Sequence, residues 1–107
     1  MKIPNRVQLG GLTIETVYDD TLAKERGLMG QTDYNEGKIL LDKTAVSQQV
    51  LEQTYLHELV HWIFHIMGEE KLRADEKLVD LFSTFLHQAI ESWDQTEATT
   101  EKNPMPE

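Results

Sequence analysis

The chain has 107 residues, 39% hydrophobic and 27% charged, with no cysteine and a formal net charge of −9. That length suits one domain with a modest core. The missing cysteines exclude a disulfide framework and a thiolate metal site, so any transition metal must be held by histidine and carboxylates. The acidity argues against a nonspecific nucleic-acid binder, which needs clustered Lys and Arg. The longest apolar stretch, residues 59–67, is too short to span a bilayer. Residues 1–20 show no basic start followed by an apolar run, so no secretory signal is visible and the cytoplasm is the expected location.

Residues 6–18, "RVQLGGLTIETVY", alternate in part around Gly10-Gly11 and predict two short strands joined as a hairpin. Residues 19–30 are mixed and predict a loop or irregular turn. Residues 34–42, "YNEGKILLD", predict a turn feeding a short apolar strand. From Thr44, a plausible N-cap, the period changes: Val46, Val50, Gln53, His57, Val60 and Phe64 recur at helical spacing, with Gly68 as the stop. A second helix is predicted over roughly 71–92, with Leu72, Leu78, Val79, Phe82, Leu86 and Ile90 as its apolar positions. After Trp93 the chain has no periodic apolar face, so residues 94–107 are expected to be a disordered tail. The fold class is therefore α+β: a small antiparallel sheet on the N-terminal side packs on a long helix and a second antiparallel helix, within one domain over residues 1–93.

The chemistry sits in "YLHELVHWIF", residues 55–64. An α-helix advances about 3.6 residues per turn, so His57 and His61 point the same way and can reach one tetrahedral zinc. Glu58 is rotated about 100° from His57. It is poorly placed to join that coordination shell, but it can reach a metal-activated water from the side, as a general base must. A solitary histidine lacks converging ligands, so His65 and His87 read as packed or partly exposed side chains.

The distance to the next helix locates a third ligand. The first helix runs about 9 Å past His61 before Gly68. A second helix returning antiparallel draws level with His61 near residues 75–78, where Glu76 stands. One turn on, Asp80 lies level with His57. A metal-bound histidine normally donates its other ring N–H to a carboxylate or carbonyl, the role that falls to Asp80. The plainer reading of both carboxylates is a solvated charged face, and Glu69 and Glu70, nearer the turn, stay open as alternatives.

The pattern His57-Glu58-Leu59-Val60-His61, followed by Glu76-Lys77-Leu78-Val79-Asp80, resembles that of the gluzincin metallopeptidases. The chain is also similar to small phage- or mobile-element-encoded proteins related to the ImmA/IrrE-type peptidases, over about residues 35–86. In those, a segment like "KILLD" precedes the active-site helix. The resemblance implies one zinc ion held by His57, His61 and Glu76, with Glu58 as general base and Asp80 supporting a histidine. The family's separate electrophile has no clear match, with Tyr34 and Tyr55 as candidates.

The expected function is a zinc-dependent endopeptidase acting on a peptide or protein substrate, with no nucleic-acid or membrane partner and the oligomeric state left open. The strand at Ile39-Leu40-Leu41 could pair with an extended substrate or be an internal core strand. The alternative function keeps the zinc without the catalysis: an interaction protein binding a phage or host regulator. A structural zinc site would normally have four protein ligands, and His65 is a poor fourth.

Overall fold

A computed structural model of the chain describes residues 1–44, 46–93 and 96–100. Strand β1 (Arg6–Leu9) and strand β2 (Leu12–Tyr18) form an antiparallel hairpin with Leu9 opposite Leu12. Its two-residue turn has positive φ at both Gly10 and Gly11 (54° and 84°), the combination that a tight turn matched to strand twist requires. One π-helical turn, Leu22–Arg26, follows. Strand β3 (Gly30–Asp33) and strand β4 (Lys38–Leu41) then form a second antiparallel hairpin. In its turn the Asp33 carboxylate accepts the backbone N–H groups of Asn35 and Glu36, at 3.1 and 3.0 Å.

The sheet order is β1-β2-β4-β3, and β2 runs parallel to β4. The sheet is thus mixed rather than antiparallel as expected. The second hairpin enters with its later strand against β2, so the connection from β2 to β4 is a crossover rather than a turn. This also decides the role of Ile39-Leu40-Leu41. β4 is interior, paired on both sides, with Ile39 and Leu41 fully buried, and cannot take a substrate strand. The edges are β1 and β3, and β3 is a strand the sequence pattern did not reveal.

Helix α1 (Gln48–Met67) starts three residues later than Thr44 would allow, with Ser47 as its N-cap accepting from the Val50 N–H. Thr44 is engaged elsewhere: its N–H and hydroxyl both donate to the buried Asp42 carboxylate. These two bonds and the Ala23 N–H hold the Asp42 carboxyl below the usual carboxylate range. Gly68 ends α1, its N–H bonding the His65 carbonyl while Glu69 N–H reaches the Phe64 carbonyl. The predicted second helix is divided into a single turn, α2 (Glu70–Arg73), and helix α3 (Glu76–Glu91). The break falls where the Asp75 side chain caps α3 by accepting the Leu78 N–H.

Two faces of α1 are buried. Leu51, Tyr55, Leu56 and Trp62 join Ile14, Ile39 and Leu41 of the sheet, while Val60 and Phe64 pack with Val79 of α3. Trp62 is 1% exposed and its indole N–H donates to the Lys38 carbonyl at 3.2 Å, tying α1 to the central strand. Trp62→Ala is expected to cost about 3–5 kcal/mol of stability, read from the urea midpoint at unchanged slope. Helix α3 runs antiparallel to α1. Gln53 bonds Thr84, His57 faces Asp80 and His61 faces Glu76, each step of four along α1 matching a step of four back along α3. No helix among the described residues is long and apolar enough to cross a membrane. The expectation of a disordered tail over 94–107 falls mainly on 94, 95 and 101–107, which lie outside the described residues.

Candidate metal centre

His57 and His61 stand one turn apart on α1 with ring centroids 4.9 Å apart. Glu76 is the first residue of α3, a position that suits a carboxylate because helix N-termini carry unpaired N–H groups. Its two oxygens reach both rings: Oε2 lies 3.3 Å from His57 Nε2, and Oε1 lies 3.2 Å from His61 Nε2. Donor atoms of the three residues fall within 4.8 Å of one another.

A tetrahedral ion with bonds of about 2.0–2.1 Å separates its ligand atoms by about 3.3 Å. Each imidazole lies at about that separation from one of the two Glu76 oxygens, so the carboxylate is within reach of an ion shared with both rings. Two nitrogens with one carboxylate form a donor set suited to zinc. Among the described residues no fourth histidine or carboxylate joins the group. His65, the fourth-ligand candidate, is turned away: its ring stacks 4.2 Å from Tyr34 and its Nδ1 lies 3.6 Å from Glu70. Glu70, an alternative third ligand, is thus placed beside His65 and Arg73. Asp80 Oδ1 lies 3.6 Å from His57 Nδ1, on the ring nitrogen opposite the one facing Glu76. That is ion-pair range rather than a formed hydrogen bond.

Glu58 is 8% exposed and lines the same cavity as His57, His61, Glu76 and Asp80. Burial holds its carboxyl above the ordinary range, opposed by a hydrogen bond from Thr32 and by the neighbouring His57 and His61, and reinforced by Glu76. The Thr32 hydroxyl donates to Glu58 Oε2 at 2.9 Å and fixes the carboxylate against β3. The cavity measures about 540 Å³, and Leu28, Met29 and Val50 form its apolar wall.

Thr32 and Gly30 escaped the sequence reading because β3 did. A Cβ on Gly30 would stand 2.6 Å from Thr54 Cγ2 and 3.3 Å from Glu58 Cγ, so the strand passes α1 at a distance only glycine permits. An isolated glycine in a strand is the signal that could have found it. The two electrophile candidates are not brought to the cavity. Tyr55 is 2% exposed with its hydroxyl buried in the core, and Tyr34 packs against Trp62 and His65 with Arg73 over its ring.

His87 is not solitary either. Its Nε2 lies 3.1 Å from Oε1 of the buried Glu52, and with Glu91 these residues make a second group within 4.8 Å. The Met1 ammonium sits in it, 2.6 Å from Glu91 and 3.4 Å from Glu52, so the acidic pair already has a cationic partner. Burial alone would raise the Glu52 carboxyl; hydrogen bonds with Glu91, His87, Gln48 and Met1 outweigh it and bring it to about 2.

No protein-family model matches the chain, and no curated protein or solved structure matches it either.

Proposed function

We propose that the chain is a minimal zinc-dependent endopeptidase, similar in its site to gluzincins of the ImmA/IrrE type. The observation that carries the reading is the convergence of His57, His61 and Glu76 at 3.2–3.3 Å beside the buried Glu58. His57, His61 and Glu76 would hold one zinc ion, which when bound acidifies water and polarises a carbonyl. Three protein ligands would leave a coordination position open, as catalysis requires and a closed structural site does not allow.

Glu58 would take the proton of the attacking water and deliver it to the leaving amine. Its burial suits that work, because a carboxylate held above its ordinary range is the stronger base. Thr32 keeps the Glu58 carboxylate in place, and Asp80, 3.6 Å from His57 Nδ1, would orient that ring once it binds the metal. The outer edge of β3, which pairs with no strand among the described residues, offers backbone groups along which an extended peptide can lie, beside the Leu28, Met29 and Val50 wall.

Metal analysis of wild-type protein, combined with a cleavage screen against Glu58→Gln, tests this reading. About one zinc per chain and cleavage lost in the variant would support it. Zinc without cleavage in either protein would favour the non-catalytic interaction protein, and no zinc after metal-replete purification would end both readings. Asp80→Asn is expected to weaken zinc binding by about 10–100-fold, measured by chelator competition, with the fold unchanged. Its side chain is 68% exposed and carries no core packing.

A further inference from the structure

Helix α3 uses only part of its apolar surface. Val79, Leu86 and Ile90 turn toward α1 and the core, and Glu76 and Asp80 turn toward the histidines. A second stripe, Leu78, Leu81, Phe82, Phe85 and Ala89, recurs at spacings of three and four and shares one further face. Leu78 and one edge of Phe82 touch the Val60–Phe64 cluster at its inner margin, and the remainder faces outward. Leu81 is 47% exposed, Phe82 51% and Phe85 65%, and Trp93, just past the helix, is 67% exposed. No charged residue interrupts the stripe between Leu78 and Ala89 on that face.

At about 150–250 Å² per aromatic side chain, those fractions put roughly 450 Å² of apolar side chain in water, the size of the largest patch on a typical monomer, which is often functional. A standard interface buries about 800 Å² per partner, about 65% of it apolar in homodimers. The stripe together with Trp93 thus supplies on the order of nine-tenths of the apolar part of one half of such an interface, and roughly half of its total area.

We infer that this face of α3 is a homodimer interface, closed by the same face of a second copy in antiparallel, two-fold pairing. A two-fold interface must be self-complementary, and the stripe is. With the axis near Phe85, Leu81 of one copy meets the small Ala89 of the other, Leu78 meets Ser92, and the two Phe85 rings meet each other. Residues 94–107 offer little apolar surface to match it, with Ala98, Met105 and two prolines among fourteen residues. An anionic bilayer is also disfavoured: the stripe has Lys77 beside it but no basic cluster, and the chain carries −9 overall.

Sedimentation equilibrium of the full chain tests the inference. Wild type is expected to run at twice the 12.4 kDa chain mass at about 100 µM. Phe85→Glu and Leu81→Glu should each raise the dissociation constant at least about 30-fold. Leu12→Glu, at an equally exposed leucine on β2, should leave it unchanged. The wild type supplies a readout free of substitution. Trp93 is exposed in one copy whereas Trp62 is buried, so emission should shift to the red on dilution through the dissociation constant. A wild type that stays monomeric, a dimer indifferent to both α3 substitutions, or a monomer that instead binds phosphatidylcholine–phosphatidylglycerol vesicles would overturn the proposal.

Discussion

Glu58→Gln is expected to keep about one zinc per chain and to lower peptide cleavage by about 10²–10⁴-fold, the range that a positioned general base contributes. The substitution is close to isosteric, and the amide can still accept the Thr32 hydroxyl bond that now ends on Glu58 Oε2 at 2.9 Å. The position therefore stays packed, and the change removes basicity with little else. Zinc content and circular dichroism should match wild type while turnover falls. If turnover persisted at the wild-type rate with zinc in place, Glu58 would not be the base. If zinc were lost as well, the residue would belong among the ligands or their supports.

The second large effect is expected at Glu76. Its carboxylate bridges the two imidazoles at 3.2 and 3.3 Å, so Glu76→Ala leaves a histidine pair without its third partner. Zinc affinity should fall by at least about 100-fold, more than the loss expected from a supporting residue such as Asp80. The fold should tolerate the change, because the Glu76 side chain is 70% exposed and Asp75, which caps α3, is untouched. Chelator competition gives the affinity, and thermal unfolding of the metal-free protein gives the control. Undiminished affinity would move the third ligand elsewhere, with Glu69 or Glu70 as the alternatives the sequence leaves open. Glu70, however, is held 2.6 Å from Arg73.

How much of this was legible from the residues depends on the distance over which each feature is decided. The Gly10-Gly11 hairpin and the helical run through His57 and His61 are local, set by turn geometry and a period of 3.6 residues. The level of Glu76 and Asp80 against the histidines needed one further step. Helix rise is constant and Gly68 marks the turn, so counting residues places both carboxylates. The short α2 did not upset that count, because the Asp75 cap restarts the helix at the residue required. Local reasoning failed where two groups compete for one partner. Thr44 could have capped α1, but the buried Asp42 engages it, and the cap passes to Ser47.

The sequence by itself determined how side chains are arranged around each helix: the histidine pair on one face, Glu58 rotated to the side of it, and the two carboxylates together on the returning helix. These follow from backbone periodicity, which every residue carries locally. The tertiary structure alone decided which strands lie at the sheet edges, because strand pairing joins residues far apart and several orders satisfy the same alternation. It placed β4 inside and β3 outside, brought Thr32 onto Glu58, and let Gly30 pass α1 where a side chain would collide. It also decided how the apolar arc of α3 is divided. One helix covers only part of that arc, so α1 and the core take Val79, Leu86 and Ile90 while Leu81, Phe82 and Phe85 remain outside.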